Sequence, residues 1–244
     1  MLLSEKKIVI ETQEMRLGKY NDRKTIAYNN AIKETFLFLK NTDSLHELYA
    51  KSIALPEEAG YLLPICKLHL NNTELIATLG KWREENAFAF PNQFPVTLEG
   101  TASWLSNILK TDDRILFLIK ERQGNKIGHI GFANAINDNK EMEIDNVLRG
   151  VKNSYAGIMS KALRALINWA EEIFKPNVIF LRVLNDNNHA IEFYRNLSFK
   201  ENKMIPLKKW VDCDCISYRP LDEDDTSTPD KYFLRMNYSP NNIK

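Results

Sequence analysis

The chain has 244 residues, of which 44% are hydrophobic and 27% are charged, and these values fit one large soluble domain or an average domain with an extension. Its formal net charge of +1 argues against a dedicated nucleic-acid surface, and no apolar run approaches the roughly 18–20 residues that span a bilayer. Three cysteines are too few for a disulfide framework, so together with the lack of a signal-peptide pattern they predict a cytoplasmic protein.

Residues 1–60 are predicted to form an N-terminal extension. A short strand is predicted at Lys6–Glu11, and apolar residues at helical spacing predict a helix over Lys24–Lys40. Ser44 is a candidate cap for a second helix that ends near Lys51. We expect this extension to pack on the rest of the chain, and a contribution to a dimer contact is the alternative.

The central stretch carries the strongest signal. A strand over Met142–Val147 leads through a loop and Gly157 into an amphipathic helix, Ile158–Phe174. A second strand, Val178–Leu184, ends in a polar run from which Asn188 is predicted to cap a short helix. A turn that feeds a helix N-terminus presents free backbone N–H groups to an anion, so a pyrophosphate site is predicted there.

A long insertion is predicted over 200–230, before a closing strand at Tyr232–Tyr238. The insertion contains one predicted strand, Val211–Tyr218, and an acidic run that is most simply a solvated loop. Basic and aromatic side chains here suit a nucleotide diphosphate and its base, although Trp210 also suits a core. These candidate substrate-binding residues are Lys208, Lys209 and Trp210.

Several titratable residues are candidates for proton transfer. Glu141, Glu143 and Asp145 alternate along one predicted strand and so share a face. Mutual repulsion could raise the pKa of one of them into the range of a general base, and binding a cationic substrate without proton transfer is the alternative. His129 is a further candidate base, or a structural residue, because its unperturbed pKa is about 6.5. Tyr194 is a weak acid that could protonate a leaving group.

The order of these elements, together with the Ala190–Phe199 sequence AIEFYRNLSF, resembles the GNAT superfamily of acyl-CoA-dependent N-acyltransferases over roughly residues 65–240. By this resemblance, the preceding segment is predicted to contain the family's opening strand, first helix, second helical region and next two strands, at Ile65–Leu70, Thr73–Glu85, Pro95 to Leu105, Arg114–Lys120 and Lys126–Asn134. The resemblance implies an α/β (α+β) fold with a central mixed, mostly antiparallel sheet flanked by helices. Two parallel strands in this fold splay apart and bind acyl-CoA between them. Residues 61–244 would then form the catalytic domain, with no metal, as a monomer or a homodimer.

The same resemblance implies the donor contacts. The backbone of Asn146, Val147 and Leu148 would hold the pantetheine and polarise the thioester carbonyl. The family's phosphate loop reads Gln/Arg-x-x-Gly-x-Gly/Ala, whereas the segment from Ser154 to Met159 keeps only the first glycine, and the upstream Arg149 could supply the missing charge. The remaining implied cofactor contacts are Gly157, Ile158, Met159, Asn185, Asn188 and Tyr194.

For the chemistry, the resemblance implies Tyr194 as the general acid and places Asp145 nearest the carbonyl, ahead of Glu143 as the base. A bound water remains an alternative base. The segment Glu143–Gly150 with Gly157–Met159 most resembles the branch that acylates dTDP- or UDP-linked amino-deoxysugars for bacterial surface glycans such as O-antigen. Met159 and the insertion are consistent with an acyl group larger than acetyl, such as 3-hydroxybutanoyl. The alternatives are an aminoglycoside or protein α-amine acceptor, and a silent domain that binds acyl-CoA.

Overall fold

The computed structural model describes residues 22–152, 155–222 and 224–240. The predicted strand Lys6–Glu11 and the loop residue Ser154 lie outside these ranges. The helices are α1 (22–40), α2 (Leu45–Ala50), α3 (Thr73–Glu85), α4 (Leu98–Lys110), α5 (Ile158–Ile173) and α6 (Asn188–Arg195). The strands are β1 (Ile53–Ala54), β2 (Gly60–Pro64), β3 (Asn92–Gln93), β4 (Ile115–Glu121), β5 (Lys126–Ala133), β6 (Glu141–Arg149), β7 (Val178–Leu184), β8 (Phe199–Asp212), β9 (Cys215–Pro220) and β10 (Lys231–Tyr238).

These strands form one sheet in the spatial order β1-β2-β4-β5-β6-β7-β10-β8-β9-β3. Neighbouring strands are antiparallel except for the pair β6 and β7, which confirms the predicted mixed, mostly antiparallel sheet. The parallel pairing ends at Ile144 opposite Leu181, although β6 continues to Arg149. The two strands therefore separate halfway along their length, as predicted.

Helix α5 supplies the centre of the core. Its apolar residues recur at helical spacing, and Ala162 and Leu166 are fully buried. Trp169 packs its ring edge-on against Phe117 and Phe174, with ring centroids 5.6 and 5.3 Å apart. This tryptophan therefore belongs to the core, as its position on the apolar stripe predicts.

The described part of the N-terminal extension shares this core. Helix α1 buries Ile32 and Phe36 completely, and the Phe36 ring lies edge-on to Phe174 at 6.0 Å. Ile26, which the periodicity places on the same stripe, is exposed instead. Strand β1 extends the sheet by pairing with β2, so the extension contributes both a helix and an edge strand.

The first predicted strand is displaced in the structure. β2 ends at Pro64, and the chain forms a helical turn over Lys67–His69, where a strand over Ile65–Leu70 was predicted. The Cys66 backbone N–H donates to His69 Nδ1 at 3.1 Å, which stabilises the turn. The apolar run continues through both segments, so its composition alone does not show where the strand ends.

The insertion is a β-hairpin rather than a loop with one strand. β8 runs for 14 residues, the chain turns at Cys213, whose φ is +48°, and β9 returns along it. Most side chains of β8 are exposed, so the strand lacks the apolar alternation by which it could be recognised. β9 then pairs with the short strand β3 through Asn92 opposite Ser217. None of the described helices is long and apolar enough to cross a membrane.

Candidate active site

Each of the three carboxylates of β6 faces an arginine, and these positive charges offset the mutual repulsion that the sequence predicts. The arginines come from β10, from β7 and from the segment before β4. Their closest N···O distances are 2.9, 2.6 and 2.5 Å for the pairs Glu141–Arg235, Glu143–Arg182 and Asp145–Arg114, respectively. The three carboxylates therefore form ion pairs that link β6 to β10, to β7 and to the segment before β4.

Glu143 has both carboxylate oxygens occupied. Arg182 binds it in a bidentate manner at 2.6 and 2.8 Å, and Asn134 Nδ2 donates to the same carboxylate at 2.6 Å. Burial alone would lower the pKa of Arg182, but the hydrogen bond and charge of Glu143, with the charge of Asp145, raise it. This geometry favours a structural role for the buried Glu143 over the predicted role as a base.

Asp145 is held differently. Its Oδ2 atom accepts hydrogen bonds from Arg114 at 2.5 Å and from Asn146 Nδ2 at 2.7 Å. Its Oδ1 atom has no hydrogen-bond partner among the described residues. The side chain is half-buried and lines two cavities, so one carboxylate oxygen remains available to a bound molecule.

A β-bulge lies beside Asp145. His129 pairs with Leu148 and Gly131 pairs with Asp145, so two residues of β6, Asn146 and Val147, lie opposite one residue of β5. Asn146 has a φ of +52°, and its carbonyl lies 2.7 Å from His129 Nδ1. A bulge leaves backbone groups out of the ladder and redirects the strand, here where β6 leaves β7.

His129 is the residue that holds the bulge. It is 3% exposed, and burial lowers its pKa to about 4, an effect that Arg83 reinforces and that Asn146 and Asp145 oppose. The imidazole is therefore neutral near pH 7, and its Nδ1–H donates to the Asn146 carbonyl. A group with this pKa is a weak base, so the structure favours a structural role for His129 over the predicted catalytic one.

The gap between the separated parts of β6 and β7 forms a cavity of about 180 Å³, here called the strand cleft. Asn146 and Val147 line it from β6, and Tyr194 lines it from α6. Burial, together with the charge of Asp145, raises the pKa of Tyr194 above its usual value, so the phenol is protonated near pH 7 before any reaction. Leu148 is buried in the core instead and does not line the cleft.

The polar run before α6 is arranged differently from the prediction. Asn187 caps the helix by accepting from the Ala190 N–H at 3.2 Å, whereas Asn188 is an exposed residue of the first turn. Asn187 also lines the strand cleft. Asn185 is exposed, and its Oδ1 accepts from the Tyr232 N–H at 3.1 Å. Four consecutive polar residues make the position of the cap ambiguous from sequence.

The candidate phosphate loop leads into α5 through Gly157, which has a φ of +77° and open space around its Cα. Ile158 and Met159 follow it and point into the core, and neither lines the strand cleft. Arg149 is exposed and donates to the carbonyls of Val151 and Lys152, so this guanidinium orders its own loop.

A second cavity, of about 310 Å³, lies on the other side of Asp145 and is here called the aromatic cavity. Asp145 and Asn146 line both cavities, so the two meet at this point. Sequence analysis missed most of its lining, because the residues come from α3, α4 and the segment around β3. The principal side chains are Arg83, Phe90, Phe94, Trp104, Arg114 and His129.

The predicted substrate-binding residues of the insertion line neither cavity. Lys208 Nζ donates to the Thr228 carbonyl at 3.0 Å, and the exposed Trp210 lies against Arg219 on the hairpin surface. The backbone N–H of Lys209 donates to Asp230. The hairpin nevertheless reaches the aromatic cavity through β9, because the Tyr218 N–H donates to the Pro91 carbonyl at 2.9 Å.

No set of three or more His, Cys, Asp or Glu side chains that could hold a metal ion occurs in the part of the chain that the structure describes. The cysteines of the hairpin turn, Cys213 and Cys215, are both exposed and free.

Comparisons with known proteins place this geometry in a family. The model of the acetyltransferase (GNAT) domain matches residues 64–200, which is more than half of the chain. The sequence matches none of the curated proteins.

Solved structures share the fold at low sequence identity. An acetyl transferase from Salmonella typhimurium that modifies the N-terminal serine of ribosomal protein L7/L12 is 15% identical, with a TM-score of 0.54 over 73% of this chain and 94% of that one. The microcin C7 self-immunity acetyltransferase MccE, in complex with acetyl-CoA and AMP, is 14% identical, with a TM-score of 0.56 over 77% and 99%. FdhC, a nucleotide-linked sugar GNAT, is 12% identical, with a TM-score of 0.51 over 74% and 86%. The chain therefore belongs to the GNAT acetyltransferase family and is a CoA-dependent N-acyltransferase whose co-substrate is acyl-CoA.

Proposed function

We propose that this protein transfers an acyl group from acyl-CoA to the amino group of a nucleotide-linked amino-deoxysugar. The observation that carries the proposal is the charge of the aromatic cavity. Two arginines, Arg83 and Arg114, and one carboxylate, Asp145, line it together with Phe90, Phe94 and Trp104. Phosphate groups bind arginine, and bases stack on aromatic rings. The resemblance in fold to FdhC, a nucleotide-linked sugar GNAT, is consistent with this acceptor.

The same charges argue against an aminoglycoside acceptor. An aminoglycoside carries several ammonium groups and requires a pocket with an excess of carboxylates. Asp145 is the one carboxylate among the described residues that line this cavity, and Arg114 already neutralises it at 2.5 Å. A protein α-amine remains the second candidate, because the fold also resembles an acetyl transferase that modifies an N-terminal serine.

The donor is proposed to lie in the strand cleft. The Asn146 carbonyl points toward His129, and the carbonyl and N–H of a trans peptide point in opposite directions, so the Val147 N–H is directed away from His129. Val147 lines the cleft and is paired with no residue of β5 or β7. Its N–H is our candidate to polarise the thioester carbonyl, as an oxyanion-hole donor does.

The acceptor amine is proposed to reach this carbonyl from the aromatic cavity, at Asp145. The free Oδ1 atom accepts a hydrogen bond from the amine, and the departing proton passes to Asp145 or to a water bound there. The amine nitrogen forms a bond to the carbonyl carbon, and the C–S bond then breaks. Tyr194 donates its proton to the leaving sulfur and is reprotonated from solvent.

The acyl group is proposed to be acetyl or a longer hydroxyacyl group such as 3-hydroxybutanoyl. Met159 gives no support for the longer group, because its side chain packs in the core and lines neither cavity. The relative rates with acetyl-CoA and with longer donors measure this preference directly.

The test is thiol release, followed with a thiol-reactive dye, across a matrix of acyl-CoAs and acceptors. The acceptors are dTDP- and UDP-linked 3- and 4-amino-deoxysugars, an aminoglycoside and a short peptide, with acyl-CoA alone as the control for hydrolysis. We expect turnover above this control with a nucleotide-linked sugar. Turnover with only the aminoglycoside or only the peptide would contradict the proposal. Binding of acyl-CoA without turnover of any acceptor would instead indicate a silent binding domain.

A further inference from the structure

Arg83 is an arginine of the aromatic cavity that takes no part in the proposed chemical steps. Its Nη2 atom donates to the Asn92 carbonyl at 2.5 Å, and its Nη1 atom is buried without a hydrogen-bond partner. No carboxylate of the described residues forms an ion pair with it. Arg83 therefore retains a positive charge and a donor that the described part of the protein does not satisfy.

Aromatic rings fix the position of this guanidinium. Its central carbon lies 3.6 Å from the centroid of Phe90 and 5.2 Å from that of Phe94, which are cation–π distances. Burial lowers the pKa of Arg83 to about 10, so the group stays charged near pH 7. An unpaired buried donor of a charged group destabilises the free protein, and an anion in the cavity would remove that penalty.

The insertion hairpin supports Arg83 indirectly. Asn92, whose carbonyl holds the guanidinium, belongs to β3, and β3 is held in place by β9 through the pair Asn92–Ser217. The Tyr218 N–H adds a hydrogen bond to the Pro91 carbonyl at 2.9 Å. The hairpin thus positions the arginine through the backbone of β3, although the side chains of its outer strand lie outside the cavity.

We propose that Arg83 binds the diphosphate group of the acceptor and selects nucleotide-linked amines. This inference rests on the proposed function and names the residue that recognises its substrate class. An arginine fork matches phosphate oxygens in a bidentate manner, and the partly exposed Phe94 offers a ring on which a base can stack. Asp145 lines the same cavity and receives the amine. The cavity therefore matches an acceptor with a diphosphate at one end and an amino group at the other.

The test measures binding of dTDP, UDP and inorganic pyrophosphate to the full chain by calorimetry, without any acceptor amine. We expect Arg83→Gln to weaken the affinity for dTDP or UDP by about ten- to a hundredfold, the range for a lost hydrogen bond to a charged group. The matched control is Arg122→Gln, which removes an exposed arginine that pairs with Glu58 at 2.7 Å. A change within twofold for Arg83→Gln would overturn the inference.

Loss of acyl-CoA affinity in Arg83→Gln would reveal a folding defect. In that case a second variant, Arg83→Lys, provides the test. Arg83→Lys keeps the charge and loses the planar fork, so we expect an affinity between those of the wild type and Arg83→Gln. Full wild-type affinity in Arg83→Lys would then argue against bidentate recognition and overturn the inference. With a nucleotide sugar as the acceptor, Arg83→Lys should raise KM while kcat at saturation changes little.

The two proposals fail in different ways. If a nucleotide sugar is acylated but Arg83 variants bind dTDP and UDP as the wild type does, the inference is wrong and the proposed function stands. If pyrophosphate binding depends on Arg83 but no nucleotide sugar is acylated, the anion site stands and the acceptor assignment is wrong.

Discussion

The strand cleft and the aromatic cavity meet at Asp145, yet they handle charge in opposite ways. In the strand cleft, the charges of Glu143 and Arg182 neutralise each other. In the aromatic cavity, the charges of Asp145 and Arg114 neutralise each other, but Arg83 has no acidic partner among the described residues. The cleft therefore offers mainly backbone groups and a phenol to its ligand, whereas the cavity offers a net positive charge.

The two cavities also differ in how the chain builds them. The cleft lies where β6 leaves β7, beside the backbone bulge at Asn146. The cavity needs segments that are far apart in sequence, because β9 holds β3 next to α3. A cleft made by the main chain suits a donor common to a whole family, and a cavity made by side chains suits an acceptor that varies.

The largest expected effect concerns the chemistry of the strand cleft. Tyr194→Phe should lower kcat by about 10²–10⁴-fold, the range for loss of a general acid, with acyl-CoA affinity little changed. Thiol release and calorimetric binding measure the two quantities, and Tyr49→Phe, an exposed tyrosine of α2, is the control. A kcat within threefold of the wild type would remove Tyr194 from the mechanism.

The ion pair of the cleft provides the next effect, on stability rather than on turnover. Glu143→Gln should lower the free energy of unfolding by about 2–3 kcal/mol, because the buried Glu143 carboxylate is the charged partner of the partly exposed Arg182. Urea denaturation measures the loss. Glu192→Gln breaks an exposed pair with Arg195 and should cost less than about 1 kcal/mol.

The kcat of folded Glu143→Gln discriminates between the two roles of this residue. If Glu143 is structural, the folded variant should retain turnover within a fewfold of the wild type. A loss of about a hundredfold without loss of stability would revive the prediction that Glu143 is the base.

His129 provides a pH-dependent effect at the junction. Its pKa is about 4 in the folded protein, below the unfolded value of about 6.5, so the unfolded state binds more protons between these values. Stability should therefore fall as the pH falls through this window, with about 2 kcal/mol of the loss between pH 7 and pH 5 due to His129.

The measurement for His129 is the difference between the wild type and His129→Gln. His69 also has a pKa that burial lowers, so it contributes to the same window in both proteins and cancels in this difference. The difference in free energy of unfolding between pH 7 and pH 5, measured by urea denaturation, should be about 2 kcal/mol smaller in the variant than in the wild type. Parallel pH dependences in the two proteins would show that His129 is not the buried neutral group described.

The smallest expected effect concerns Trp210, which lies outside the aromatic cavity. Trp210→Ala should change KM for the acceptor by less than about threefold, because Trp210 is 57% exposed and lines neither cavity. Steady-state kinetics beside Arg83→Lys make the comparison. A tenfold rise in KM would show that Trp210 contacts the acceptor, as the sequence predicts.

The fold was predictable because its central elements carry strong local patterns. Helix α5 has an apolar stripe, and β7 is an apolar run bounded by polar residues, so both are predicted close to their observed ends. β8 was not predictable, since most of its side chains are exposed and it therefore lacks the apolar alternation of a buried strand, although its partner β9 follows it directly in the sequence. The end of β2 was missed because the apolar run passes through Pro64 without a break in composition.

For the candidate site, the sequence placed Asp145, Asn146 and Tyr194 together, because strand order and family resemblance bring β6 beside α6. The arginine partners of β6 could not be predicted, since they come from β10, β7 and the segment before β4. These arginines offset the expected repulsion between the carboxylates, and the pairing with Arg182 favours a structural role for Glu143.

By itself the sequence determined the central helices and strands, the family and the polar residues of β6, because these depend on local periodicity and on motifs. The tertiary structure decided the charge state of the site. Burial makes His129 neutral, the pairing with Arg182 occupies the Glu143 carboxylate, and Arg83 has no acidic partner among the described residues. These properties depend on what surrounds a side chain in space, and residues distant in sequence provide those surroundings.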